Sequence, residues 1–139
     1  MQRGGTLERV QPRGLAWRVS RSEDVEAMKR YGMQIGLRPG AYVEYKKYHA
    51  AVWPEVLATI ERCNIRNYTI YHHNGVLFGS FEYHGTDYKA DMALMAADEA
   101  TQRWWAVMVP MQQQLPGTPE GEWWMPMEEL FHFDGAKIE

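Results

Sequence analysis

Two strand-like runs separated by a two-residue Asn74-Gly75 step constrain this chain more than any other stretch: NYTIYHH (67–73) and VLFGSFEYHG (76–85). An Asn-Gly pair suits a tight turn with both central residues at positive φ, whose twist matches that of paired strands. The spacing therefore predicts an antiparallel hairpin. Around it the periodicities change in a definite order. In YGMQIGLRPG, Met33, Ile35 and Leu37 alternate with Gln34, Gly36 and Arg38, as in a half-buried strand stopped by Pro-Gly. From about Ala41 to Cys63 the apolar and aromatic positions, Tyr45, Val52, Trp53, Val56, Leu57 and Ile60, recur at helical spacing. Pro54 removes a backbone donor there, so the segment either kinks or restarts as a second helix with Pro54 in its first turn. After the hairpin, Thr86 or Asp87 caps a helix over 88–97, and a further helical stretch with an internal proline follows Thr101. PGTPEGEW reads as loop, and MEELFHFD (127–134) as a last strand. The order β-α-β-β-α-β is the split βαβ, or ferredoxin-like, α+β arrangement.

Length and charge narrow the possibilities further. A chain of 139 residues makes one domain with a real core. We assign that domain to residues 30–139. Residues 1–29 have scattered glycines, five arginines up to Arg21 and little periodicity, and read as a loosely held extension. An Arg-rich, acid-poor start also suits an organelle transit peptide, but its amphipathic pattern is poor. A net charge of −3 gives no basic patch for a nucleic-acid backbone. No apolar run approaches the roughly 18 residues of a membrane span. The single Cys63 cannot form an internal disulfide. A cytoplasmic protein without nucleic-acid or membrane partners is expected.

Which side chains could do chemistry? Histidine suits proton transfer near neutral pH. His72, His73 and His84 flank a turn or a strand end and read as surface, whereas His132 sits in the expected last strand. His49 differs, because residues four apart share a helix face and Tyr45 and Trp53 are its neighbours on that spacing. Such a face is either an aromatic core that satisfies one histidine, or the wall of a small polar site. No histidine pair has the spacing of a zinc or iron site, and no glycine-rich loop joins a strand to a helix for phosphate. Cys63 has no base nearby in spacing. In QRWW (102–105), Trp104 and Trp105 point about 100° apart on a helix, so one can pack while the other reaches a pocket or interface. With 6 Trp and 8 Tyr, the chain has indoles and phenols enough to stack on a sugar's C–H face or to fill a core.

Taken in order, Tyr45-Lys-Lys-Tyr-His49, Val52-Trp-Pro-Glu55, Asn67-Tyr-Thr-Ile70, Leu77-Phe78, Glu82, Thr101-Gln-Arg-Trp-Trp105 and Glu128-Glu-Leu-Phe131 resemble the L-rhamnose mutarotases. The likeness runs from Tyr31 to Asp134. It implies ferredoxin-like protomers paired into a dimeric α+β barrel, with His49 as the acid/base residue. It also implies sugar contacts from Tyr45, Tyr68, Trp104 and Trp105. The chain departs from the family in its N-terminal extension and in the longer loop 116–126 with its extra Trp123-Trp124.

The implied reaction interconverts the α and β pyranose anomers of L-rhamnose or a related 6-deoxy sugar. It moves a proton and opens a ring, but transfers no electrons and no group, so no metal or cofactor is expected. Two alternatives share the fold: a small barrel oxygenase, and a sugar-binding module that does no chemistry. Glu55, Glu82 and His132 are candidates to share proton transfer with His49.

Overall fold

The computed structural model describes residues 28–135. Strand β1 (Lys29–Leu37) is followed by helices α1 (Tyr42–His49) and α2 (Pro54–Arg62). Strands β2 (Ile65–His73) and β3 (Val76–Tyr83) come next, then helices α3 (Tyr88–Ala97) and α4 (Glu99–Met108). A 3-10 turn (Val109–Met111) leads into the short strand β4 (Gln112–Gln113), and β5 (Met125–Met127) closes the order. All strand pairs are antiparallel in the order β2-β3-β1-β4, with β5 also on β1. This is a ferredoxin-like α+β fold. Of the extension expected over 1–29, only Met28 and Lys29 lie within the described residues, and Lys29 already belongs to β1.

Local chemistry accounts for the breaks between elements. Asn74 and Gly75 take φ of 51° and 76°, the two positive angles that the hairpin turn requires, and His73 pairs with Val76 across it. Pro54 does not kink a single helix. It opens α2, and the clash of its ring with the preceding residue keeps Trp53 extended, at φ −60° and ψ 133°. Asp87 and Asp98 cap α3 and α4, accepting from the backbone N–H of Ala90 at 3.1 Å and of Thr101 at 3.0 Å.

Strand β2 carries a bulge. Ile65 and Ile70 face the same side of the sheet, opposite Tyr83 and Gly79, although they are an odd number of residues apart. Asn67, at φ 52°, absorbs the extra residue, since its short polar side chain tolerates the left-handed region. The bulge sets Tyr68 and Ile70 on the helix-covered side of the sheet. There Ile35, Leu37, Val56, Leu77, Ala100 and Met108 form the core with Tyr45 and Trp104.

The expected last strand over 127–134 is not formed. The free edge of β1 is filled in two pieces: Gln112 and Gln113 oppose Leu37 and Gly36, and Met125–Met127 oppose Gln34–Gly32. Beyond Met127, among the described residues, the Arg30–Glu129 ion pair at 3.1 Å still ties the chain to β1. Phe131 and Phe133, alternating with His132, look like one buried face of a strand, but among the described residues nothing covers them or Leu130, and the three are 69–86% exposed.

Candidate active site

A cavity of about 640 Å³ opens between α1, α2 and the β2 side of the sheet, a volume ordinary for a small-molecule site. Helix α1 supplies Tyr45 and His49 to its wall, α2 supplies Val56 and Ile60, β2 supplies Tyr68 and Ile70, and α4 supplies Trp104. Apolar walls with a few converging polar tips are what a sugar needs: C–H faces to pack on, and fixed partners for its hydroxyls.

His49 is oriented by its own helix. Its ring stacks on Tyr45, 4.4 Å between centroids, and Nδ1 lies 2.9 Å from the Tyr45 carbonyl oxygen. A carbonyl only accepts, so Nδ1 carries the hydrogen and the neutral ring keeps its lone pair on Nε2. Trp104 stands edge-on to this ring at 5.4 Å, and also to Tyr48 and Trp53 at 6.0 and 5.0 Å. With 7% exposure, Trp104 is locked in place. Trp105, the next residue along α4 and 41% exposed, does not line the cavity.

Burial holds the Tyr45 phenol above its ordinary pKa, and a hydrogen bond from Gln112 partly opposes this. Tyr68 is also held above its ordinary value, by desolvation of its hydroxyl and then by Tyr45 and Tyr88, although the residue as a whole is 42% exposed. Both phenols therefore remain protonated donors at neutral pH. At the rim, His72 stacks on Tyr42 at 4.5 Å and accepts the Gly75 N–H through Nε2.

Tyr45, His49, Tyr68 and Trp104, singled out in the sequence, thus meet around one space. The Tyr45–His49–Trp53 face does not survive as a single wall. Helix α1 ends at His49, and Trp53, outside it, backs Trp104 rather than lining the cavity. Glu55, Glu82 and His132 do not line it either. Glu82 is engaged by Asn67 and His84, each at 2.9 Å, and His132 pairs with Asp134 on an exposed tail. Cys63 is buried, which pushes its thiol up and leaves it a core atom.

Sequence reasoning missed Gln112. It is 4% exposed, donates through Nε2 to the Tyr45 hydroxyl at 3.0 Å, and accepts the Trp123 indole N–H at 2.7 Å. A run of three glutamines in the sequence gives no sign of which one turns inward. The sheet register with Leu37 decides it.

Among the described residues no cluster of three or more His, Cys, Asp or Glu side chains could hold a metal ion, and no helix is long and apolar enough to cross a membrane. The fold is similar to that of an L-rhamnose mutarotase from Formosa agariphila, with a TM-score of 0.60 at 24% identity over 76% of this chain and 99% of that one. An L-rhamnose mutarotase of Bacteroides thetaiotaomicron is 31% identical over 109 residues, covering 77% of this chain and all of the relative. One of Verminephrobacter eiseniae is 33% identical over 114 residues, covering 76% and 97%. The family model described as L-rhamnose mutarotase matches residues 30–133, three quarters of the sequence, and the chain belongs to this family of carbohydrate isomerases.

Proposed function

We propose that this protein interconverts the α and β pyranose anomers of L-rhamnose, with His49 as the group that takes and returns the proton. The observation that carries this reading is the single nitrogen lone pair of His49, held by Nδ1 on the Tyr45 carbonyl and set in a cavity with room for a monosaccharide between Tyr45, Tyr68 and Trp104. Nε2 takes the proton of the C1 hydroxyl as the C1–O5 bond breaks and C1 becomes an aldehyde. The O5 alkoxide, steadied by a phenol donor, then takes that proton back from His49. Rotation about C1–C2 and the reverse sequence close the ring on the other face. The proton is conserved, no electron changes hands, and the step asks for no cofactor or metal. Positioned acid–base catalysis of this kind supplies ~10²–10⁴-fold. Trp104 offers the indole wall for the sugar. Trp105, outside the cavity, contributes to the proposed site only as the neighbour of Trp104 on α4.

The acting form we propose is a cytoplasmic homodimer. Val76, Phe78 and Ser80 lie on the sheet face opposite the helices, and Leu130, Phe131 and Phe133 are uncovered; both suit a second copy of the chain. The test is saturation transfer between the α and β anomeric protons of L-rhamnose, with and without catalytic protein. Exchange that depends on protein and disappears in His49→Ala supports the assignment. Saturable binding of L-rhamnose with exchange no faster than buffer would make the protein a recognition module instead.

A further inference from the structure

Tyr45, Gln112 and Trp123 form a chain of hydrogen bonds with only one possible direction. An indole N–H donates and never accepts. The Gln112 atom that meets Trp123 Nε1 at 2.7 Å must therefore be the carbonyl oxygen Oε1. This turns Nε2, a donor only, onto the Tyr45 hydroxyl at 3.0 Å. The Tyr45 oxygen must accept there, so its own proton is left to point elsewhere, and Tyr45 lines the cavity. The amide and the phenol are far from water, with Gln112 4% and Tyr45 5% exposed, whereas Trp123 reaches the surface and is 38% exposed. Without Trp123 the amide could rotate by half a turn, accept the phenol proton, and leave the cavity facing lone pairs only. Trp123 belongs to the loop in which this chain departs from the pattern it otherwise resembles.

We propose that Gln112 and Trp123 are positioning residues that commit the Tyr45 hydroxyl to donating its proton into the cavity. This rests on the function proposed above and refines it, because Tyr45 becomes the donor that steadies the oxygen released on ring opening. Neither residue touches the sugar.

Gln112→Glu is the discriminating variant, since it keeps the shape and inverts the direction. As a carboxylate it accepts from Trp123 and also from Tyr45, turning the phenol proton away from the cavity. Once protonated, it donates to Tyr45 again. Anomer exchange in Q112E should fall ~10- to 100-fold at neutral pH, mainly in kcat. The ratio of Q112E to wild-type rate should then climb as pH is lowered through the titration of that carboxyl. Trp123→Phe, which only unlocks the amide, should lose roughly two- to fivefold with no such pH dependence. A Q112E rate equal to wild type at a pH where residue 112 is ionised, or a loss whose ratio to wild type stays flat across its titration, would overturn the relay, because simple loss of packing does not titrate. A substrate-free readout separates this from the reading it rests on. In Q112E the carbon-13 resonance of Tyr45 Cζ, assigned by its absence in Y45F, should shift as residue 112 protonates. If wild-type protein accelerates no exchange, the proposed function fails, and the Tyr45 resonance still decides the relay: a shift supports it and a stationary signal rejects it.

Discussion

Tyr45 and Tyr83 are both nearly inaccessible phenols, 5% and 4% exposed, and they use their hydroxyl groups in opposite ways. Tyr83 is saturated. It donates to Asp91 at 2.6 Å and accepts the Asp87 N–H at 3.0 Å, while Asn64 donates to the same carboxylate at 3.0 Å. Withdrawal from water, reinforced by the hydrogen bond to Asp91, pushes the Tyr83 phenol up to about 12. Gly85 closes over this group so tightly that a Cβ there would run into the Tyr83 hydroxyl and, at 2.7 Å, the Asp91 carboxylate. Tyr45 accepts one hydrogen bond and faces a cavity with a proton to give. A saturated hydroxyl ties elements together; one with a proton left over can act on something that is not yet there.

That contrast can be broken from either side. The largest effect belongs to the cavity: His49→Ala should cost ~10²–10⁴-fold in anomer exchange while leaving the thermal midpoint near wild type, as scanning calorimetry alongside saturation transfer would show. On the closed side, Gly85→Ala overpacks the Tyr83–Asp91 contact and should cost about 1–3 kcal/mol in urea unfolding. Tyr83→Phe removes one donor and leaves a carboxylate and a backbone N–H short of a partner, at roughly 1–3 kcal/mol, with exchange unchanged. Loss of exchange in Y83F comparable to that in Y45F would erase the distinction between the two phenols.

The smallest effect is in pH. Asp91 is held below its ordinary pKa by hydrogen bonds from Tyr83 and Asn64, and Asp98 by those from Thr101. A carboxyl lowered on folding contributes stability above its unfolded pKa and loses it as pH falls through the folded value. Stability should therefore be fully present at neutral pH and decline below about pH 4. In Y83F that decline should be shallower than in wild type, followed by circular dichroism from pH 5 to 2.

Much of this was open to reading along the chain. The Asn74-Gly75 turn, the alternation of Met33, Ile35 and Leu37, and Pro54 before a helical run each depend on neighbouring residues. Backbone sterics and side-chain period act locally, and the structure keeps them. The i, i+4 spacing of Tyr45 and His49 likewise became a stacked pair. The pattern over 127–134 misled, because alternation promises burial only if an edge and a surface are there to receive it. Met127 already stands opposite Gly32 and β1 begins at Lys29, so the run over 127–134 soon passes the end of the edge it would join.

The element order as far as α4, the turn and the histidine with its tyrosine one helical turn earlier were thus settled by short-range chemistry within the sequence. Which tryptophan lines the cavity, which glutamine turns inward, and which way a phenol points its proton were settled by packing. Gln112 and Tyr45 lie 67 positions apart, and a hydrogen bond over that distance exists only because β4 takes the edge of β1 and α1 is laid over the same sheet. No local propensity carries that information, since it arises when separate elements come to share one interior.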